Sequence, residues 1–272
     1  MFGLFELCER AKARNINIME PKFGWKKPVP FGEIFDIEYF NDNMSEVKMI
    51  PRNKANNYNV EYIEGNWGAA AGRWSKQRSS SSITQNAMHF QVLKALRLNK
   101  TNESKAQSIV DIDKLDGIHL RIEEDWQRYL NGGPPQLKGE KAENNFLINV
   151  DTFVKMYKEF TDHKSILLST GENHQSISKT FAKHNIKTVF YFDSSVEYEI
   201  SAAINFFLCI KCQNFIGISR STFSNLVATS RHITGINNSY IYNYDNKIRE
   251  RIDLGLQLDP KLAITKKTEV LM

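Results

Sequence analysis

Apolar positions along this chain fall into an irregular first stretch and a regularly alternating second one. At the start, Phe2, Leu4, Phe5, Cys8 and Ala11 share one side of a helix, and Ile16 to Met19 then reads as a short strand stopped by Pro21. A short element is expected from Ile34 to Phe40, and helical spacing returns from Gln85 to Leu98. Between them lies polar sequence with Ser79 to Ser82 in a row, which reads as a loop or helix entry. The polar run LNKTNESKAQS, Leu98 to Ser108, is the candidate boundary.

Beyond it the pattern becomes regular. Strands are expected at Asp116 to Ile122, Ser165 to Ser169, Thr188 to Phe192 and Asn214 to Ile218. Helices are expected at Asn149 to Phe160, Ser176 to His184, Val196 to Lys211 and Ser221 to Arg231. Such alternation predicts an α/β fold with a parallel sheet covered by helices on both faces, and ligands bind such sheets at the carboxyl ends of the strands. The tail after Tyr244, polar from Asn243 to Arg251 and mixed from Leu254 to Leu262, reads as a terminal helix or arm returning to the first domain. The division expected is an N-terminal domain over 1–105 and a C-terminal one over 106–272.

Composition narrows the class. With 272 residues, 41% hydrophobic and 25% charged, the chain matches soluble globular proteins and can bury one large core or two. A net charge of +5 spread among acidic residues argues against nucleic acid as a partner and is compatible with a small anionic substrate. No apolar run approaches the roughly 20 residues of a membrane span, and the first residues lack the pattern of a signal peptide. A cytoplasmic location is therefore expected for the chain as written, with the secretory pathway as the alternative if it is truncated. Cys209 and Cys212 form a CxxC inside an apolar helix pattern with no second pair and no nearby His, so buried structural thiols are expected, with no metal. His163, His174 and His184 have no metal-ligand spacing and read as surface or packing residues.

Two strand ends carry candidate chemistry. His119 and Arg121 alternate with Leu120, so both face one side of an inner strand, where unpaired polar groups are costly. Either they pair with Glu123, Glu124 or Asp125, or they hold an anion. The strand NFIGIS runs into RSTFSN and an apolar helix. There Gly217 allows close backbone approach, and Ser219, Ser221 and Thr222 set hydroxyls beside the free amides of a helix start. That outlines a phosphate site, while Ser221 alone also suits a plain N-cap. Ser169 and Thr170, after the strand LLS, are the third loop on the same edge, either a ligand contact or an ordinary polar turn.

GIHLRIEEDW, followed about a hundred residues later by NFIGISRSTFSNLV, resembles the protein O-fucosyltransferase family. The early stretches LFELCERAKARNINIMEP and PFGEIFDIEYF resemble its N-terminal half. The resemblance implies two Rossmann-like domains of the GT-B type and inverting, metal-independent transfer of fucose from GDP-fucose to a hydroxyl on a protein or glycan. It places the catalytic arginine on Arg121 and its neighbouring donor-contact histidine on His119. Ser221 and Thr222 fall on the diphosphate contacts, and Phe223 falls near the nucleotide. Gly217 and Ser219 belong to the same donor loop. Gln213 and Asn214 stand where the family commonly has an acidic residue, so Asn214 is carried over as an uncharged donor contact, and Asn205 stands for another frequent Asp. The family's leading strand and Gly-rich turn have no counterpart ahead of Met1, so the N-terminal domain is expected to lack its first strand. Two alternatives follow: a non-catalytic sugar-nucleotide or glycan-binding protein, and a transferase using another nucleotide-sugar.

Overall fold

The computed structural model describes residues 2–24, 27–59, 82–84, 87–123, 126, 148–171, 174–253, 260–265 and 269–271. The serine run up to Ser81, and Glu124 and Asp125, lie outside them. The fold is α/β, and the chain divides into two compact units. The first comprises Met1–Ser108, Phe192–Ile204 and Glu269–Met272; the second comprises Ile109–Tyr191 and Asn205–Thr268.

In the first unit α1 (Phe2–Arg14) buries Leu4, Phe5, Cys8 and Ala11, the stripe its spacing predicts. Strand β1 (Ile18–Met19) follows; β2 (Lys22–Phe23) and β3 (Val29–Pro30) form an antiparallel pair, and β4 (Met49–Ile50) pairs in parallel with β1. The element expected at Ile34 to Phe40 is two helices, α2 (Phe31–Ile34) and α3 (Ile37–Asn43), parted where Asp36 caps the second by accepting from Tyr39 N–H. Buried Glu20 is satisfied by Gly32 N–H at 2.7 Å and Arg52 N–H at 3.0 Å.

Strand β5 (Ser82–Thr84) pairs in parallel with Glu269–Leu271, and α4 (Met88–Ala95) follows. The polar boundary stretch is itself helical: α5 (Lys100–Ala106) starts at Asn99, whose side chain accepts from Asn102 N–H. Asn102 is buried, and its amide donates to the terminal carbonyls Glu33 and Ile34 of α2. Its polarity serves a helix end.

The second unit is built on a six-stranded sheet. In chain order its elements are β6 (Asp116–His119), α6 (Val150–Phe160), β7 (Ser165–Ser169), α7 (His174–Ala182) and β8 (Lys187–Val189). Then come α8 (Tyr198–Lys211), whose residues beyond Ile204 belong here, β9 (Asn214–Gly217) and α9 (Thr222–Ile233). β10 (Ser239–Tyr244), β11 (Lys247–Glu250) and the short α10 (Pro260–Thr265) complete it. The spatial order is β11-β10-β9-β6-β7-β8, parallel throughout except for the β10–β11 hairpin. Ile118, Ile166, Leu168 and Ile216 pack with Phe153, Tyr157, Phe181 and Tyr242 in one core. Near-continuous burial is what a parallel sheet covered on its faces requires.

The tail meets its sequence reading at its end, where Glu269–Leu271 belongs to the first unit and pairs with β5, and departs from it just after Tyr244. Residues 243–251 extend the sheet as a hairpin, turning at Asp245 and Asn246, both at positive φ (54° and 47°), as a two-residue primed turn requires. α10 follows within the same unit, its Ala263 carbonyl accepting from Ile252 and Asp253 N–H. The CxxC thiols are buried and free, and burial raises that of Cys209 to about 12. Beside them, fully buried Arg231 donates to the carbonyls of Cys209, Ile210, Cys212, Gln213 and Asn238. It caps the carboxyl end of α8, where a cation is favoured.

The topology says where a ligand belongs. From β6 the chain proceeds outward through β7 to β8, then returns to β9 on the other side of β6 and continues to β10. The strand order therefore reverses between β6 and β9. Crevices at such switch points, outside the carboxyl ends, are the binding sites of open α/β sheets.

Candidate functional site

His119 ends β6, and the turn after β9 enters α9, so the two predicted strand ends flank the switch point. Ser221 is the N-cap of α9, extended at φ −79° and ψ 126°, with its side chain accepting from Ser224 N–H at 3.5 Å. Its hydroxyl therefore serves the cap, and Thr222 opens the helix on the exposed side. The free amides and partial positive charge of this first turn remain an anion-binding end.

Ser224, one turn in, joins the two strands. Its Oγ lies 2.7 Å from His119 Nδ1 and accepts from Ile218 N–H at 3.1 Å. Gly217 makes this approach available: a Cβ there would stand 2.5 Å from Ser224 Oγ and 2.7 Å from Ser224 Cβ. The close approach expected at Gly217 is thus made by the chain's own helix. The His119 ring is buried, lies 4.6 Å from the Phe223 ring, and Phe223 meets Phe206 edge-on at 5.9 Å. Burial, with a smaller contribution from Arg121, pushes the imidazole down to about 3, so it is neutral near pH 7.

Arg121 lies just beyond β6, which is shorter than expected. Its backbone N–H donates to buried Tyr242 Oη at 3.2 Å. Its guanidinium sits 5.6 Å over Trp126 and its Nε is 3.6 Å from Glu123 Oε2. Of the sequence's two readings, the ion pair with Glu123 is present. Glu123 is in turn fixed by Gly171 N–H at 2.7 Å and Thr170 Oγ1 at 3.4 Å, both on Oε1. Thr170 and Gly171, on the loop after β7, therefore grip the carboxylate that holds the arginine. Arg121 remains about a quarter exposed, so an anion can reach a cation whose direction is already set.

Two predicted contacts are not brought there. Ser219 is fully buried, and both its polar groups are engaged by Asn243 of β10: N–H to Oδ1 at 3.0 Å, and Oγ from Nδ2 at 3.0 Å. It shapes the turn. Asn214 begins β9, at the opposite end from the site, and donates to Asp116 Oδ1 at 2.8 Å. Asn205 lies in α8 and donates to Tyr191 O at 3.2 Å. Sequence reading missed Ser224, Tyr242 and Asn243. The first stands in the quoted STFSN, and the aromatic alternation SYIYNY marks the strand that carries the others.

A family model described as GDP-fucose protein O-fucosyltransferase matches residues 55–234, which include both strand ends but not the N-terminal stretches that share the likeness. No curated protein matches by sequence. Among solved structures, POFUT1 in complex with GDP aligns at TM-score 0.57 and 14% identity, covering 88% of this chain and 93% of its own. POFUT1 in complex with GDP-fucose aligns at 0.52 and 12%, over 84% and 88%. The fucosyltransferase NodZ from Bradyrhizobium aligns at 0.54 and 10%, over 91% and 92%. At such identities these likenesses establish the fold, and the family model carries the assignment: the chain belongs to the GDP-fucose protein O-fucosyltransferase family of glycosyltransferases.

Proposed function

We propose that the protein transfers fucose from GDP-fucose to a hydroxyl of a protein or glycan acceptor with inversion at the sugar carbon, Arg121 stabilising the leaving diphosphate. The observation that carries this reading is the meeting, at the switch point, of a preoriented arginine, a neutral histidine and the amino-terminal end of α9 on adjacent strands. The guanidinium would bond phosphate oxygens as negative charge grows on the departing GDP, a transition-state gain made larger by its prior fixing on Glu123 and Trp126. The first-turn amides of α9 and the Thr222 hydroxyl would meet the same diphosphate, and His119 a neighbouring oxygen. Phe223 would pack beside the nucleotide. With this cation and helix end in place, the reaction is assigned no metal.

Support for guanosine diphosphate comes from the family and from relatives solved with GDP and GDP-fucose. The test is calorimetric titration with GDP, GDP-fucose and UDP, on the protein and on Arg121→Ala. Binding of the guanosine nucleotides alone, lost in the variant, is expected. Absence of all nucleotide binding by folded protein sinks the proposal.

A further inference from the structure

Ser224 is buried against its own strands, and its hydroxyl decides what His119 can do. A serine hydroxyl has one hydrogen to give and two lone pairs to receive. One lone pair takes Ile218 N–H at 3.1 Å, and His119 Nδ1 lies at 2.7 Å. Two arrangements fit those distances. In the first, Nδ1 carries the proton and gives it to Oγ, which then receives twice and must find another acceptor for its own hydrogen. In the second, Oγ–H donates to a bare Nδ1, both groups of this contact are paired, and Nε2–H is left to meet a ligand.

The surroundings favour the second. Ser224 is 1% exposed, so water does not serve as the missing acceptor. Helical hydroxyls often donate to the carbonyl four residues back, as Thr229 does to Asn225 O at 2.9 Å. Ser224 makes no such bond among the described residues; its hydroxyl is turned to β9 and His119, into the space that Gly217 leaves by lacking a Cβ. An unpaired buried donor is disfavoured, so the hydrogen goes to Nδ1.

We infer that Ser224 is a positioning residue that holds His119 in the Nε2–H form, making a neutral imidazole an obligate hydrogen-bond donor to a phosphate oxygen of the bound nucleoside diphosphate. The other tautomer would present a lone pair at Nε2, and a phosphate would be repelled. A neutral ring is the one for which this choice matters, and burial keeps His119 neutral. The role given to the phosphate rests on the donor-site reading above; the tautomer does not.

The experiment therefore reads the two separately. Nitrogen-15 NMR of histidine-labelled, ligand-free protein reports which ring nitrogen of His119 bears the proton, the signal being assigned by its loss in His119→Asn. The expected result is Nε2–H for the wild type, with that preference lost in Ser224→Ala and kept in Ser224→Thr. An Nδ1–H wild-type ring overturns the inference, and this arm needs no variant to fold beyond the one used for assignment. In titration with GDP, Ser224→Ala should bind about tenfold more weakly, and Ser224→Thr within about twofold of wild type. Equal GDP affinity of Ser224→Ala and wild type, with the tautomer changed, overturns the part concerning the phosphate. Failure of wild type itself to bind GDP removes the donor reading and leaves the tautomer assignment standing on the NMR result.

Discussion

The two ends of strand β6 carry similar residues and treat them oppositely. At the amino end, buried Asp116 accepts from Tyr157 Oη at 2.7 Å and Asn214 Nδ2 at 2.8 Å, with His163 Nδ1 at 3.1 Å from both its oxygens. The carboxylate is saturated by groups of its own unit. At the carboxyl end, Glu123 is held through one oxygen by Gly171 and Thr170 and faces Arg121 with the other, and the guanidinium keeps part of its surface. A carboxylate, a histidine and a buried aromatic group occur at both ends. What separates a structural cluster from a site is capacity left over after internal pairing, together with the strand direction that aims it at the switch point.

The largest expected effect tests the closed end. Asp116→Ala strands the Tyr157 hydroxyl in the core, takes the acceptor from the part-buried Asn214 amide, and should cost about 3 kcal/mol in urea unfolding. GDP affinity of the protein that remains folded should stay unchanged. At the open end Arg121→Ala should do the reverse, weakening GDP binding about a hundredfold, or about 3 kcal/mol, while lowering stability by about 1 kcal/mol. If both variants lose binding and stability together, the two ends are one cooperative unit and the contrast fails.

Gly217→Ala comes next, because its added methyl collides with Ser224. Overpacking there should cost about 2 kcal/mol and weaken GDP binding as well, since His119 loses its partner when Ser224 moves. A variant as stable and as tight-binding as wild type would show that the turn has room.

Acid titration separates the ends again. His119 has its imidazole lowered from 6.5 to about 3, mainly by burial. Between those values the unfolded chain binds a proton that the folded chain refuses. The contribution is whole above about pH 6.5 and declines as pH falls toward about 3, by at most about 1.4 kcal/mol per unit. His119→Gln should flatten that decline, which is read from urea midpoints across the window. An unchanged slope would mean that His119 takes up its proton in the folded state.

Much of this was legible before the structure. The alternation of apolar strands and amphipathic helices placed β6, β7, β9 and their helices, because burial on both faces leaves a strong periodic signal. His119, Arg121 and Ser221 stood out because each falls where an element ends. The β10–β11 hairpin was hidden by its polar turn, Asp245–Asn246, and by reading the whole tail as a terminal helix or arm, although both residue types tolerate positive φ. Ser224 was hidden for another reason: its role comes from the missing Cβ of Gly217, seven positions earlier, and from a contact with a strand more than a hundred residues away.

Asn214 lies at the amino end of β9, where strand direction carries it away from the switch point, and it supplies the smallest predicted effect. Its neighbours in sequence belong to the loop proposed to hold the donor, but a strand advances about 3.3 Å per residue, so Asn214 begins β9 roughly 10 Å short of Gly217 at its exit. Asn214→Ala should then leave GDP affinity within about twofold of wild type, while removal of one donor to Asp116 costs about 1 kcal/mol in urea unfolding. A tenfold loss of GDP affinity without loss of stability would return Asn214 to the site and would mean that the nucleotide reaches the amino end of β9. That outcome would break the division between the two ends of the sheet more directly than any other, because it would make the saturated cluster around Asp116 part of the binding surface.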